Sequence, residues 1–96
     1  MSQRRKIIIT GSSKGIGKSI AFKFAEKKFD IFLIASNKNN LNNTTNEIKS
    51  RYKVNVDFCA ANLKTADGCD FAINQIKNRF SNFDTIIFSA GDTKSG

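Results

Sequence analysis

Histidine, proline and tryptophan are absent from this 96-residue chain, and cysteine and tyrosine are scarce, with two residues and one residue respectively. Without histidine, Cys59 and Cys69 cannot complete the ligand spacing of a zinc site, so we expect no bound metal. Two free thiols, buried or half-buried, are the default in a reducing compartment, and we therefore expect a cytoplasmic protein. No apolar run is long enough to cross a bilayer, so we expect no membrane partner.

Acidic residues are also few: eight, against sixteen lysines and arginines, give a formal net charge of +8. Such a balance makes nucleic acid a candidate partner. The basic residues do not form one block, however, and on the first predicted helix Lys18, Lys23 and Lys27 point in different directions. No helix-turn-helix, zinc or RNP-type pattern accompanies them. We therefore expect a solvated basic surface and no specific nucleic-acid binding.

Three of the six glycines lie in residues 10–17, T-G-S-S-K-G-I-G, between two different apolar patterns. The isoleucines at residues 7–9 indicate a short buried strand, and from Ile16 onward the apolar residues follow helical spacing. Unpaired N–H groups at a helix N-terminus and a close backbone approach at glycine make such a turn an anion site. The alternative is a turn that only lets the strand and the helix pack closely.

The rest of the chain alternates between strand and helix patterns in the same way. An uninterrupted apolar run at residues 31–35 is typical of a strand buried on both faces. Further strands are predicted at residues 54–60 and 84–91. Two helices with apolar stripes lie between these strands, and Thr65 is the expected cap of the second. The stripes comprise Leu41, Thr45, Ile48 and Tyr52 in one helix and Cys69, Ala72, Ile73, Ile76 and Phe80 in the other.

This β-α-β-α-β-α-β pattern with short connections predicts an α/β fold: a doubly wound parallel sheet with right-handed crossovers and strand order 3-2-1-4. The first two helices are expected on one face of the sheet and the third helix on the other. The switch point lies between strands one and four, where the glycine turn and Ser89, Ala90 and Gly91 are expected to face each other. Ligands bind beyond the carboxyl ends of such strands, so we expect a nucleotide there.

Residues 10–17 resemble the glycine turn T-G-x-x-x-G-I/L-G of the short-chain dehydrogenase/reductase family, whose Rossmann-type fold binds NAD(P). The resemblance extends over the whole chain and implies a set of cofactor contacts. The residues that would contact or shape the pyrophosphate site are Gly11, Ser13, Gly15, Ile16 and Gly17. Those further along the site are Ser36 and Asn37 at the adenosine ribose, Asn62 and Leu63 beside the adenine, and Ser89, Ala90 and Gly91 at the end of the family's N-N-A-G segment.

The sequence departs from the family pattern at two of these places. Phe88 and Ser89 replace both asparagines of N-N-A-G, and with them the hydrogen bonds that those amides make across the sheet. Asn62 replaces the usual aspartate. Its amide oxygen can still accept a hydrogen bond from the adenine amino group, but without a negative charge the contact is weaker.

The residues near the predicted ribose site favour NADP over NAD. Ser36 and Asn37 are neutral, Lys38 follows them, and Lys14 occupies the turn position where family members that use NADP often carry a basic residue. Asp30 lies at a suitable distance along the chain to hold the ribose of NAD, but it opens the second strand and so lies at the wrong end of the sheet. The alternative is that both lysines simply face solvent.

The family transfers hydride between NAD(P)(H) and a carbonyl or alcohol, and the resemblance implies a Tyr-x-x-x-Lys pair and a serine for the accompanying proton. The single tyrosine here, Tyr52, is followed four residues later by Val56, so we assign no catalytic residue. Complete members are more than twice as long. We therefore expect residues 1–96 to form the NAD(P)-binding half-domain, truncated before the catalytic segment and inactive alone. The alternatives are a free-standing nucleotide-binding module and one piece of a split enzyme.

A truncated sheet would leave its fourth strand at an edge. Residues 86–88 are apolar on both sides of that strand, and the chain has no proline to block pairing there. Unpaired N–H and C=O groups on an apolar edge are a template for another strand. We therefore expect self-association or a partner chain along the fourth strand.

Overall fold

The fold is described from a computed structural model, which covers residues 5–11, 15–80 and 85–88. Strands and helices alternate in it as the sequence predicts. They are β1 (Lys6–Thr10), α1 (Gly15–Glu26), β2 (Asp30–Ala35), α2 (Lys38–Arg51), β3 (Val56–Ala60), α3 (Ala66–Arg79) and β4 (Thr85–Phe88).

The four strands form one parallel sheet in the order β3-β2-β1-β4, which confirms the predicted topology. The register pairs Ile8 of β1 with Phe32 of β2 on one side and with Ile86 of β4 on the other. All six residues of β2 are buried. Such continuous burial is expected of a central parallel strand that has helices on both faces.

Alternate side chains of the sheet point to opposite faces, and the apolar core is therefore divided in two. Helices α1 and α2 cover one face and α3 covers the other, as predicted. The cluster on the α1–α2 face includes Ile7, Ile9, Ile31 and Leu33 of the sheet with Ala21, Ala25, Leu41 and Ile48 of the helices. The cluster on the α3 face includes Ile8, Phe32, Ile34 and Cys59 of the sheet with Ala61, Ala72 and Phe80.

Helix α2 starts earlier than its apolar residues suggest. The asparagine-rich segment forms its first turns, because Asn37 caps the helix: its Oδ1 accepts a hydrogen bond from the backbone N–H of Asn40 at 2.9 Å. Tyr52 is the residue just past the helix and packs, half-buried, against the core on the α1–α2 face. The next strand begins at Val56, two residues later than predicted.

Helix α3 covers its face of the sheet only in part. Thr65 caps it as predicted, with Oγ1 accepting a hydrogen bond from the Gly68 N–H at 3.0 Å. Ala72 is buried, whereas Phe71 and Ile73 are each 48% exposed. The prediction that Ile73 belongs to the buried stripe is therefore wrong. Within the described residues α3 has no neighbouring helix on this face, so only a narrow stripe of it is covered.

Strand β4 pairs with β1 alone in the described sheet. Ile86 is 36% exposed on the α3 face, whereas Ile87 is half-buried and packs against the core on the opposite face. Among the described residues the expected edge is therefore present, but it is less exposed than the sequence suggests because Ile87 packs against the core on the α1–α2 face. Within the described part of the chain, no helix has the length and apolar character needed to cross a bilayer.

Candidate functional site

The predicted site residues that the structure describes all follow the carboxyl ends of strands. Gly11 comes directly after β1, Ser36 directly after β2, and Asn62 two residues after β3. Two backbone hydrogen bonds tie these exits together: Gly11 N donates to the carbonyl of Ile34 at 2.7 Å, and Ala61 N donates to that of Ala35 at 2.9 Å. Because the strands are parallel, the three exits lie at one edge of the sheet.

The turn after β1 begins in a conformation that favours glycine. Gly11 has a φ of 68°, in the left-handed region where a side chain is strained. Helix α1 then starts at Gly15, has Gly17 buried in its first turn, and carries no acidic residue there. Its unpaired N–H groups and dipole can therefore attract an anion without opposition from a carboxylate in that turn. Ser13 and Lys14 lie outside the described residues.

The exit of β2 presents polar, exposed residues to the same edge. Ser36, Asn37 and Lys38 are all exposed, and Lys38 is the first residue of α2. The Asn37 side-chain oxygen accepts the hydrogen bond that caps α2. Its amide NH₂, which can only donate, is suited to an acceptor oxygen of a ligand.

The turn after β3 is a closely hydrogen-bonded segment. Asn62 Oδ1 accepts from the backbone N–H of Lys64 at 3.0 Å, and the Asn62 carbonyl accepts from Thr65 N at 3.2 Å and from Thr65 Oγ1 at 3.1 Å. The Leu63 side chain packs against the core on the α3 face, and its carbonyl accepts from Cys69 Sγ at 3.3 Å. Both predicted adenine-contacting residues are thus bonded to the first turn of α3.

The structure describes the crevice between β1 and β4 only on the side of β1 and its turn. Thr10 and Phe88 are register partners, so both strands end at the same level, and Thr10 Oγ1 donates to the Ile87 carbonyl at 3.5 Å. Ser89, Ala90 and Gly91, predicted to face the glycine turn, lie outside the described residues. The departure from the family pattern at residue 89 is therefore known from sequence alone.

Two residues that could be mistaken for site residues lie elsewhere. Asp30 opens β2 at the amino edge of the sheet, where its carboxylate accepts from Asn55 N at 3.0 Å and from Asn55 Nδ2 at 3.4 Å. It is 6% exposed, and its structural role there explains why it cannot hold a ribose. Tyr52 follows α2 and precedes β3, which also places it at the amino edge, away from the predicted cofactor contacts.

The cysteines offer no alternative chemistry. Both are free; Cys59 is buried and Cys69 is half-buried, as expected. Burial raises the pKa of the Cys59 thiol above its ordinary value, although nearby Arg79 opposes the shift, so this group is a poor nucleophile at neutral pH. Among the described residues, no cluster of histidine, cysteine and acidic side chains could hold a metal ion.

One residue near the site was not singled out from the sequence. Gly68, in the first turn of α3, abuts the Asn62 carbonyl so closely that a Cβ atom would collide with that oxygen and lie 2.7 Å from its carbon. The available signal was a glycine three residues after the cap Thr65, inside a helix where glycine is otherwise unfavourable.

Comparison with known proteins gives one consistent result. The model of the short chain dehydrogenase family matches residues 5–96. The chain is 42% identical over 60 residues to the very-long-chain 3-oxoacyl-CoA reductase of Candida albicans, covering 62% of this chain and 17% of that protein. It is 31% identical to the 3-oxoacyl-(acyl-carrier-protein) reductase FabG of Staphylococcus aureus, covering 98% of this chain and 38% of that protein.

Comparison with solved structures points to the same family. L-sorbose reductase from Gluconobacter frateurii, whose crystal structure is a complex with NADPH and L-sorbose, superposes with a TM-score of 0.82 at 30% identity, over 86% of this chain and 32% of the reductase. The chain thus spans well under half the length of these relatives. The chain belongs to the short-chain dehydrogenase family, and it spans the part of the family fold that binds NAD(P).

Proposed function

We propose that residues 1–96 form the NADP-binding half-domain of a short-chain dehydrogenase/reductase, which in the complete enzyme transfers hydride between NADP(H) and a carbonyl or alcohol. The observation that carries this proposal is the meeting of the exits of β1, β2 and β3 at one edge of the sheet. Cofactors of doubly wound proteins lie beyond that edge. The NADPH bound to the related L-sorbose reductase supports the proposal.

In this proposal each loop contacts a different part of the cofactor. The turn from Gly11 to Gly17, with Ser13, Gly15 and Ile16, holds the pyrophosphate at the start of α1. Asn62 and Leu63 border the adenine, and Ser89, Ala90 and Gly91 complete the site beyond β4. The absence of acidic residues from the first turns of α1 and α2 supports the assignment of phosphate groups to this edge.

The preference for NADP rests on the exit of β2. A 2′-phosphate there would meet the Asn37 amide NH₂, the Lys38 ammonium group and the first N–H groups of α2, with Lys14 on the neighbouring turn. Because Asp30 is held at the opposite edge by Asn55, no described carboxylate follows β2 to repel that phosphate. The proposed cofactor is therefore NADP rather than NAD.

We expect the chain to bind NADPH weakly and more tightly than NADH in titration calorimetry. Lys14→Ala should narrow the difference between the two affinities, because it removes a charge that only the 2′-phosphate engages. Gly15→Val should abolish the binding of both, because its side chain blocks the approach of the pyrophosphate to the backbone.

A suitable control is Lys53→Ala, which removes an exposed charge at the amino edge of the sheet and should leave both affinities unchanged. Equal affinities of the wild-type chain for NADPH and NADH, or tighter binding of NADH, would refute the NADP assignment. An equal effect of the Lys14 and Lys53 substitutions would mean that net charge alone attracts the cofactor.

We expect the 96-residue chain to have no dehydrogenase or reductase turnover. It contains no Tyr-x-x-x-Lys and no histidine, so nothing in it is suited to move the proton that accompanies hydride. The test is the loss of NADPH absorbance with a panel of aldehydes and ketones. Sustained turnover that disappears in Tyr52→Phe would mean that Tyr52 is catalytic and that its assignment to the core is wrong.

The edge of β4 is the proposed surface for a macromolecular partner, either a second copy of this chain or a chain that adds a further strand. Two observations support this surface: β4 pairs only with β1 within the described sheet, and the side chain of Ile86 is exposed. Edge strands with apolar side chains pair readily with other strands.

A further inference from the structure

The turn after β3 and the first turn of α3 form one hydrogen-bonded unit. Thr65 Oγ1 accepts from Gly68 N at 3.0 Å and donates to the Asn62 carbonyl at 3.1 Å, so a single hydroxyl links the helix to the turn. Cys69 makes a second link through its thiol to the Leu63 carbonyl. Any displacement of the α3 start is therefore transmitted to Asn62 and Leu63.

Gly68 is the point of closest approach in this unit. A Cβ atom there would collide with the carbonyl oxygen of Asn62, and would also lie 3.0 Å from Thr65 Oγ1. The colliding atom belongs to the backbone of the turn and not to the end of a flexible side chain, so the turn itself would have to move.

The orientation of the Asn62 side chain depends on the position of this turn. Its Oδ1 accepts from the Lys64 N–H at 3.0 Å, which fixes the amide with its oxygen on that side. A carbonyl oxygen has two lone pairs, so Oδ1 can accept a second hydrogen bond. A neutral hydrogen bond from an adenine amino group would require the oxygen to be held within a few tenths of an ångström of its place.

We propose that Gly68 is a positioning residue for base recognition: its lack of a side chain lets α3 pack against the Asn62 carbonyl and holds the Asn62 amide oxygen ready for the amino group of adenine. The inference rests on the proposed function of the chain. Gly68 itself does not contact the cofactor and acts through Asn62.

The test compares NADPH with deamino-NADPH, in which the base carries an oxygen in place of the amino group and so has an acceptor where the donor to Asn62 would be. We expect the wild-type chain to prefer NADPH by about 2- to 12-fold, the factor that one neutral hydrogen bond supplies. In Gly68→Ala the affinity for NADPH should fall, and the two affinities should become equal. A variant with a merely weakened helix should bind both cofactors less well in the same proportion.

The matched control is Ala72→Gly, which weakens the middle of α3 and leaves the contact with Asn62 in place. Ala72→Gly should lower the melting temperature and keep the wild-type preference for NADPH over deamino-NADPH. The proposal is overturned if Gly68→Ala keeps that preference, or if Ala72→Gly loses it to the same extent. It is also overturned if the wild-type chain binds NADPH without discriminating between the two bases.

A second variant covers the case in which Gly68→Ala does not fold. Thr65→Val preserves the shape of the side chain but removes its hydrogen bonds to Gly68 and Asn62, so it should reduce the preference partially. A folded Thr65→Val chain with the full preference contradicts the proposal. Failure of the wild-type chain to bind either cofactor is a different result, because it overturns the proposed function and this inference with it.

Discussion

Phe32→Ala is expected to destabilise the chain by about 3–5 kcal/mol, the range found when a buried phenylalanine is removed from a core. Phe32 is fully buried at the centre of β2, and its ring meets that of Phe80 edge-on with centroids 5.4 Å apart. The loss is a large part of the stability of a small domain, which is about 5–15 kcal/mol and lies near the lower bound for the smallest domains. The variant should therefore unfold at a much lower urea concentration than the wild-type chain, as measured by urea denaturation followed by circular dichroism.

The control for this prediction is the same substitution at an exposed position. Phe71 lies on α3 and is 48% exposed, so Phe71→Ala should change the free energy of unfolding by no more than about 0.5 kcal/mol. Similar losses of unfolding free energy in the two variants would contradict the finding that Phe32 is a core residue and Phe71 a surface residue. They would mean that α3 packs on the sheet through Phe71.

The purified 96-residue chain is expected to self-associate, as a dimer or as larger aggregates, through the edge of β4. The strand pairs only with β1 among the described strands, so no described strand takes up the backbone groups on its other side, and Ile86 adds an exposed apolar side chain. Ile86→Lys should shift the population towards monomer, because a charge on an edge opposes pairing with a second strand. Light scattering over a range of concentrations measures the change.

Ile73→Lys is the matched control, since Ile73 is also an exposed isoleucine on the α3 side of the molecule, 48% exposed, but does not belong to the edge. We expect it to affect association less than Ile86→Lys does. A larger effect would identify the surface of α3, and not the β4 edge, as the contact. A monodisperse wild-type monomer with a sharp cooperative melt would count against the half-domain interpretation altogether.

The sequence determined the topology because each strand and each helix has its own apolar period. Residues 31–35 form an unbroken apolar run, which fits only a strand covered on both faces, and the short connections require parallel neighbours. The same reasoning placed Asp30 at the amino edge, because it precedes that run. The resemblance of residues 10–17 to a family turn then identified the family, which the match over residues 5–96 confirms.

The tertiary structure decided what individual side chains do at the ends of these elements. Asn37 was predicted as a ribose contact, and only the backbone geometry at the start of α2 revealed that its oxygen also caps the helix. Gly68 was one glycine among six until α3 was found against the Asn62 carbonyl. Ile73 has the period of a buried residue and is nonetheless exposed.

The sequence determines the topology but not these side-chain roles, because the two depend on interactions over different separations along the chain. Apolar periodicity is a local property that fixes which face of an element turns inward, so it can be determined from neighbouring residues. How closely a helix approaches a sheet, and what else covers that face, depends on residues far apart in the chain. The sequence by itself therefore determined the sheet order and the edge at which the proposed site lies, and the packing of α3 decided how the turn after β3 is held at that edge.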